Sequence, residues 1–230
     1  MNLLYLIHIH FIVNGLRDVA SYYTIYSNYN LTKQGIILLM SKKVQLIIGS
    51  TRQNRLSPSI ASWIEGQVAK NEELELEVVD LKDVNLPLFN EPMPPSMAPG
   101  ESESAKAWAK QVSSADAFII LSPEYNAGYP GVLKNAIDYL KQEWHHRPVT
   151  IVTYGFGGGV SSAAQLQQVF ARIGSEIVES GVAIDIGPIL NETGGITDTS
   201  ASLQSYEEAL QSALAETASY VKPEAELVTA

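Results

Sequence analysis

The chain contains no cysteine. Disulfides, thiolate metal sites and a cysteine nucleophile are thereby excluded, and the composition suits a reducing compartment such as the cytoplasm. Basic residues are scarce: 15 lysines and arginines stand against 25 aspartates and glutamates, for a net charge of −10. An acidic surface repels a phosphate backbone, so nucleic acid is not an expected partner. The apolar run 3–13 falls short of the about 20 residues that a membrane-spanning helix needs, and no basic segment precedes it as in a signal peptide. There is no Gly-x-Ser-x-Gly elbow and no Gly-Lys-Ser/Thr phosphate loop, so a serine hydrolase and a nucleoside-triphosphate loop are set aside. What remains is 46 % hydrophobic and only 17 % charged. That is enough apolar material for a packed core.

Residues 1–40 stand apart. Their only formal charges are Arg17, Asp18 and Lys33. They read as an extension outside the fold, with a domain over 41–222 that starts near Met40, and 223–230 as a tail. From residue 42 the rhythm is regular. Strands are expected at 44–48, 74–79, 117–121, 149–153 and 177–184. Helices are expected at 58–70, 102–113, 132–142, 162–173 and 206–221. Ser57 is the expected N-cap of the first helix, with Pro58 at its first position. Short apolar strands alternating with helices imply a doubly wound α/β domain, its parallel sheet covered on both faces. The segment 85–100 carries five prolines and reads as a long surface loop.

In such a sheet, ligands bind outside the carboxyl ends of the strands, where the strand order switches. The loops after strands one, three and four therefore matter most, and all three are unusual. The first, GSTRQNRLSPS from Gly49, ends at a helix N-terminus, an anion site in waiting. Ser50, Thr51 and Ser57 add hydroxyls, and Arg52 and Arg55 add charge. This suits one terminal phosphate; the plain alternative is a polar turn with a helix cap. The second, SPEYNAGYP from Ser122, has Pro123 to end strand pairing and Gly128 to allow a positive φ. Tyr125 could cover a flat ring and Asn126 could touch its edge. Glu124 is either a general base or a carboxylate that accepts loop N–H groups. The third, YGFGGGVSS from Tyr154, fails the Gly-x-Gly-x-x-Gly test in both registers, at Val160 and at Ser162. Its glycines instead suggest close approach of backbone to a planar ligand, or else a flexible turn. Together the loops describe a pocket for one phosphate and one flat polar ring, the shape of FMN. His145 and His146 read as a surface turn before Pro148, not a metal site.

The strings GSTRxxR, PEYNxGYPGxLKNAIDYL and YGxGGG resemble those of the NAD(P)H-dependent FMN reductase family of quinone, azo and chromate reductases, over residues of about 42–186. The resemblance implies a flavodoxin-like five-stranded sheet of order 2-1-3-4-5 and bound, non-covalent FMN. Ser50, Arg52 and Ser57 would hold the phosphate, with Arg55 close by. Pro123, Glu124, Tyr125 and Asn126 would line the isoalloxazine, with Tyr154, Gly155, Gly157 and Gly158 on its other side. It further implies two-electron hydride transfer from NAD(P)H through the flavin N5 to a quinone or similar small acceptor, with no catalytic side chain required. A homodimer, or a tetramer, is implied too, with the helix 132–142 and Trp144-His145-His146 as candidate contacts. A flavodoxin-like electron carrier and a flavin-binding redox sensor are the competing readings.

Overall fold

A computed structural model of the chain describes residues 41–220. The expectations for 1–40 and 223–230 lie outside the described residues. In chain order the elements are β1 (Lys42–Ile48), α1 (Ser57–Val68), β2 (Leu74–Asp80), α2 (Leu81–Val84), α3 (Glu103–Ser113), β3 (Ala117–Pro123), α4 (Gly131–Asp138) and β4 (Pro148–Gly155). A tight turn, Phe156–Gly159, then opens α5 (Val160–Ile173). β5 (Glu176–Ile177), β6 (Val182–Asp185), α6 (Thr199–Leu203) and α7 (Glu207–Tyr220) follow.

The sheet runs β2-β1-β3-β4-β5, with β6 also on β4, and its pairings are parallel. Every residue of β3 is buried, because the sheet is covered on both faces. Ala117, Ile119 and Leu121 join one core with Ile60 and Ile64 of α1 and Leu210 and Leu214 of α7. Phe118 and Ile120 alternate to the other face and join Trp108, Leu133, Ile137, Leu166 and Phe170 from α3, α4 and α5. This is the expected flavodoxin-like doubly wound α/β architecture.

Several expectations need correction. The single strand at 177–184 is two pieces. Val149 pairs Ile177 and Val152 pairs Val182, so β4 advances three residues while its neighbour advances five. The two surplus residues bulge outward, and the Glu216 carboxylate of α7 holds them, accepting from Glu179 N at 2.8 Å and Ser180 N at 3.1 Å. Ser57 does not cap α1. It is helical itself, Leu56 occupies the cap position without a side-chain bond, and the Ser57 hydroxyl pairs with the Tyr154 hydroxyl. Trp144 is not a surface residue that a subunit could touch. It is 1 % exposed, and its ring meets Phe118, Trp108 and Phe170 edge-on. The expected helix 132–142 gives way after Asp138, and the turn that follows drops Trp144 into the core. His145 and His146 are exposed beside it.

Among the described residues no helix is long and apolar enough to cross a membrane. Nor does any group of three or more His, Cys, Asp or Glu side chains among them gather as a metal site.

Candidate functional site

The register brings Ile48 opposite Leu121, Pro123 opposite Tyr154 and Gly155 opposite Asp185. The loops after β1, β3 and β4 therefore leave the same edge of the sheet. β1 and β3 are neighbours whose crossovers lead to opposite sides, which makes their edge the switch point.

Loop one begins with Gly49, whose N–H bonds Leu121 O at 2.8 Å. A Cβ there would sit 2.9 Å from Leu133 Cδ2 and 3.1 Å from Leu121 O, so only glycine crosses at this point. Ser50 follows, fully buried, its Oγ 2.6 Å from the Tyr125 hydroxyl of loop two. The loop ends at α1. The first N–H groups of that helix have no intrahelical partner, and no side chain caps them. Arg52 is exposed and donates to Asn54 O at 3.2 Å. Arg55 is differently placed. It grips the Asp80 carboxylate with both terminal nitrogens and donates to Ser50 O. Thr51 is half-buried beside them.

In loop two the chain reverses as a two-residue hairpin turn. Tyr125 N donates to Gly128 O at 2.7 Å, and Gly128 N returns the bond to Tyr125 O at 3.1 Å. The positive φ angles fall on Asn126 (50°) and Ala127 (60°), not on Gly128 as expected. A Cβ at Gly128 would come within 2.8 Å of Gln165 Oε1, so that side chain would have to move aside. Gln165 in turn donates to Ala127 O at 2.8 Å. Glu124 accepts from Ser161 N at 2.9 Å and Ser162 N at 3.3 Å. It thus caps the start of α5, where a carboxylate also meets the favourable end of the helix dipole.

In loop three, Gly157, Gly158 and Gly159 have φ of 73°, 88° and 72°. Three successive left-handed residues account for three of the glycines by backbone alone. Gly155 is extended, and a Cβ there would press on Glu124 Cβ at 3.3 Å. Only at Gly157 of these four does an added Cβ meet open space. Tyr154 does not present its ring to the edge. It is 5 % exposed, and its phenol reaches under loop one to Ser57. Burial pushes that phenol up to about 12, with the Ser57 hydrogen bond opposing.

Residues 42–188 match the family model described as NADPH-dependent FMN reductase. The chain belongs to that family. An NAD(P)H-dependent FMN reductase of Schizosaccharomyces pombe is 42 % identical over 136 residues, 58 % of this chain and 68 % of its own. A quinone reductase of Escherichia coli K12 is 28 % identical and covers 69 % of this chain and 94 % of its own. Among solved structures, the flavoenzyme NAD(P)H:(acceptor) oxidoreductase FerB of Paracoccus denitrificans shares the fold. Its TM-score is 0.58 at 24 % identity, over 76 % of this chain and 98 % of that one.

The residues of this family member fit a flavin mononucleotide on two observations. The start of α1 carries no side-chain cap, with Ser50 in the loop that leads into it and Ser57 at its first position, a setting in which free helix N–H groups can receive a phosphate. Beside them stand the left-handed hairpin turn of loop two and Gly157, where an added Cβ would meet no protein atom. Two contributors are not among the residues singled out from the sequence. Asp80, at the end of β2, fixes Arg55. Asp185, at the end of β6, accepts from Gly157 N at 3.1 Å and Gly187 N at 3.0 Å. Their signal was topological: both are carboxylates at strand ends on the ligand edge.

Proposed function

We propose that this protein is an NAD(P)H-dependent, FMN-containing oxidoreductase that reduces quinones or similar small acceptors. One observation carries the reading. The uncapped start of α1, with Ser50 in the loop that leads into it and Ser57 at its first position, lies at the switch point next to two loops shaped by positive-φ backbone. Membership of the FMN reductase family supports it.

Bound FMN supplies the two-electron chemistry, reduction by NAD(P)H and reoxidation by the acceptor. The protein binds and orients. Ser50, Thr51 and Ser57 donate to the phosphate, and Arg52 supplies positive charge from the solvent side. Pro123, Glu124, Tyr125 and Asn126 form one wall for the ring, and Gly155, Gly157 and Gly158 the other, with the Tyr154 ring buried behind them. Glu124 and Tyr154 serve chiefly to hold the loops, through α5 and Ser57. Arg55 serves the phosphate loop from behind, through Asp80 and the Ser50 carbonyl.

The reading extends to a cytoplasmic domain over 41–222 that self-associates as a homodimer or tetramer. Light scattering behind a sizing column reads the assembly directly.

One anaerobic absorption experiment tests the activity. The purified protein is loaded with FMN, NADPH or NADH is added, and then a quinone. The expected result is loss of the flavin band and its return with the quinone. A flavin band that persists with both nicotinamides excludes the reductase and favours an electron carrier or sensor.

A further inference from the structure

Ser50 and Ser57 share a feature that the binding of a phosphate does not by itself explain. Each serine is fully buried, and each has a tyrosine hydroxyl as its side-chain partner: Tyr125 at 2.6 Å from Ser50, and Tyr154 on Ser57. The partners come from loop two and from the end of β4, 75 and 97 residues away. A serine hydroxyl has one proton and two lone pairs. If serine donates to tyrosine, its proton is spent, and it turns lone pairs toward an incoming anion. If tyrosine donates to serine, the serine proton is free to point outward. The phenol is the stronger acid of the two and so the better donor. Tyr154 is held in its protonated form by burial, so its proton is present throughout the neutral range.

We propose that Tyr125 and Tyr154 are positioning residues of the phosphate site, each donating to its serine so that Ser50 and Ser57 present their protons to the phosphate of FMN. The inference rests on the FMN reading and assigns these two hydroxyls to phosphate selectivity, whereas the sequence pointed only to their rings. Hydrogen bonds in such a chain polarise one another, and the terminal one, to a dianion, is charge-assisted. Arg55 contributes by fixing the Ser50 carbonyl, which keeps the Ser50 hydroxyl from drifting off its tyrosine.

Removing the hydroxyl while keeping the ring separates this role from ring stacking. Apoprotein is titrated with FMN and with riboflavin, which has the same ring and no phosphate, and flavin fluorescence is followed. Wild type is expected to prefer FMN. Tyr154→Phe is expected to lose about tenfold in FMN affinity, the worth of one charge-assisted bond, and to leave riboflavin affinity unchanged. The double variant Ser57→Ala/Tyr154→Phe is expected to be no weaker for FMN than Ser57→Ala alone. Equal loss for both flavins in Tyr154→Phe, or no loss for either, overturns the relay. Should Tyr154→Phe fail to fold, Tyr125→Phe on the exposed hairpin decides by the same FMN-to-riboflavin ratio. Wild type that binds FMN no better than riboflavin overturns the phosphate reading itself, and the relay with it.

Discussion

Arg55 and Asp80 meet as two forks, Nη1 at 2.7 Å from Oδ1 and Nη2 against Oδ2, with side chains only 11 % and 17 % exposed. The pair ties loop one to the end of β2, and Nη1 also reaches the Ser50 carbonyl. Arg52, three residues earlier, is exposed and bonded only to Asn54 O. Two arginines that look equivalent in GSTRQNR therefore differ: Arg55 braces the loop, and Arg52 is left exposed for the proposed phosphate.

That division predicts opposite phenotypes. Asp80→Ala leaves a largely buried guanidinium without its counter-ion and should cost about 2–3 kcal/mol of stability. Arg52→Ala should stay within about 0.5 kcal/mol of wild type in stability, yet lower FMN affinity about tenfold through the lost charged contact. Urea midpoints and FMN titrations on both variants check this. An Arg52→Ala protein with full flavin affinity would remove Arg52 from the phosphate site.

Ala127 sits at φ 60° in the hairpin turn beside Asn126 at 50°. Asparagine tolerates that region; alanine pays a steric penalty of about 1–2 kcal/mol there. Glycine removes the penalty but loses more entropy on folding, about 0.5–1 kcal/mol. Ala127→Gly should thus stabilise the protein by about 0.5–1 kcal/mol, the difference between those two effects. A rise in thermal midpoint reads it, and a fall would mean that the turn is not left-handed at this residue.

Most of the architecture was legible because it is written in short-range pattern. The unbroken run 117–121 reads as a strand covered on both faces, and alternation with helical segments follows from it. The ligand edge was legible through topology, which places the three loops together without knowledge of any contact. Contacts across the fold were not. Nothing within GSTRQNR shows that Arg55 is claimed by Asp80, 25 residues on. Ser57 looks like a helix cap locally, and only the register that puts Tyr154 at the end of β4 takes its hydroxyl away. Likewise 177–184 is apolar at both ends, so the break between β5 and β6 depends on the pairing with β4 rather than on composition. Trp144 beside two histidines resembles a surface cluster until the turn after α4 carries it inward.

Glu216 predicts a pH dependence. The Ser180 hydroxyl holds its carboxyl below the ordinary value of 4.5; burial opposes this, and the Glu179 and Ser180 N–H groups add to the lowering. A carboxylate depressed in the folded state contributes stability that is fully present above its unfolded value. That stability is lost as pH falls below about 4.5 and through the folded value. Glu216→Gln should therefore lower the thermal midpoint at neutral pH and flatten its decline below about pH 4.5. Parallel acid-side declines in wild type and variant would show that the β5–β6 bulge is not held by the charged form.

A substitution at Gly157 tests the proposed ring wall apart from the proposed phosphate site. It has φ 73°, and an added Cβ would meet no protein atom within 4 Å. Gly158 and Gly159 differ, because Cβ atoms there would meet Ala183 Cβ and Tyr154 O, both at 3.0 Å. Alanine at any of the three adds backbone strain of about 1–2 kcal/mol, and at Gly158 or Gly159 the contact adds to it. Gly157→Ala should therefore be the least destabilising of the three by urea denaturation. Its methyl group stands at the edge assigned to the ring, so it should weaken FMN and riboflavin by the same factor. Tyr154→Phe is expected to affect FMN alone, and the two variants together assign each wall of the site to its part of the cofactor. If Gly157→Ala bound both flavins like wild type, loop three would be a turn required by its own backbone and not a wall of the ring site.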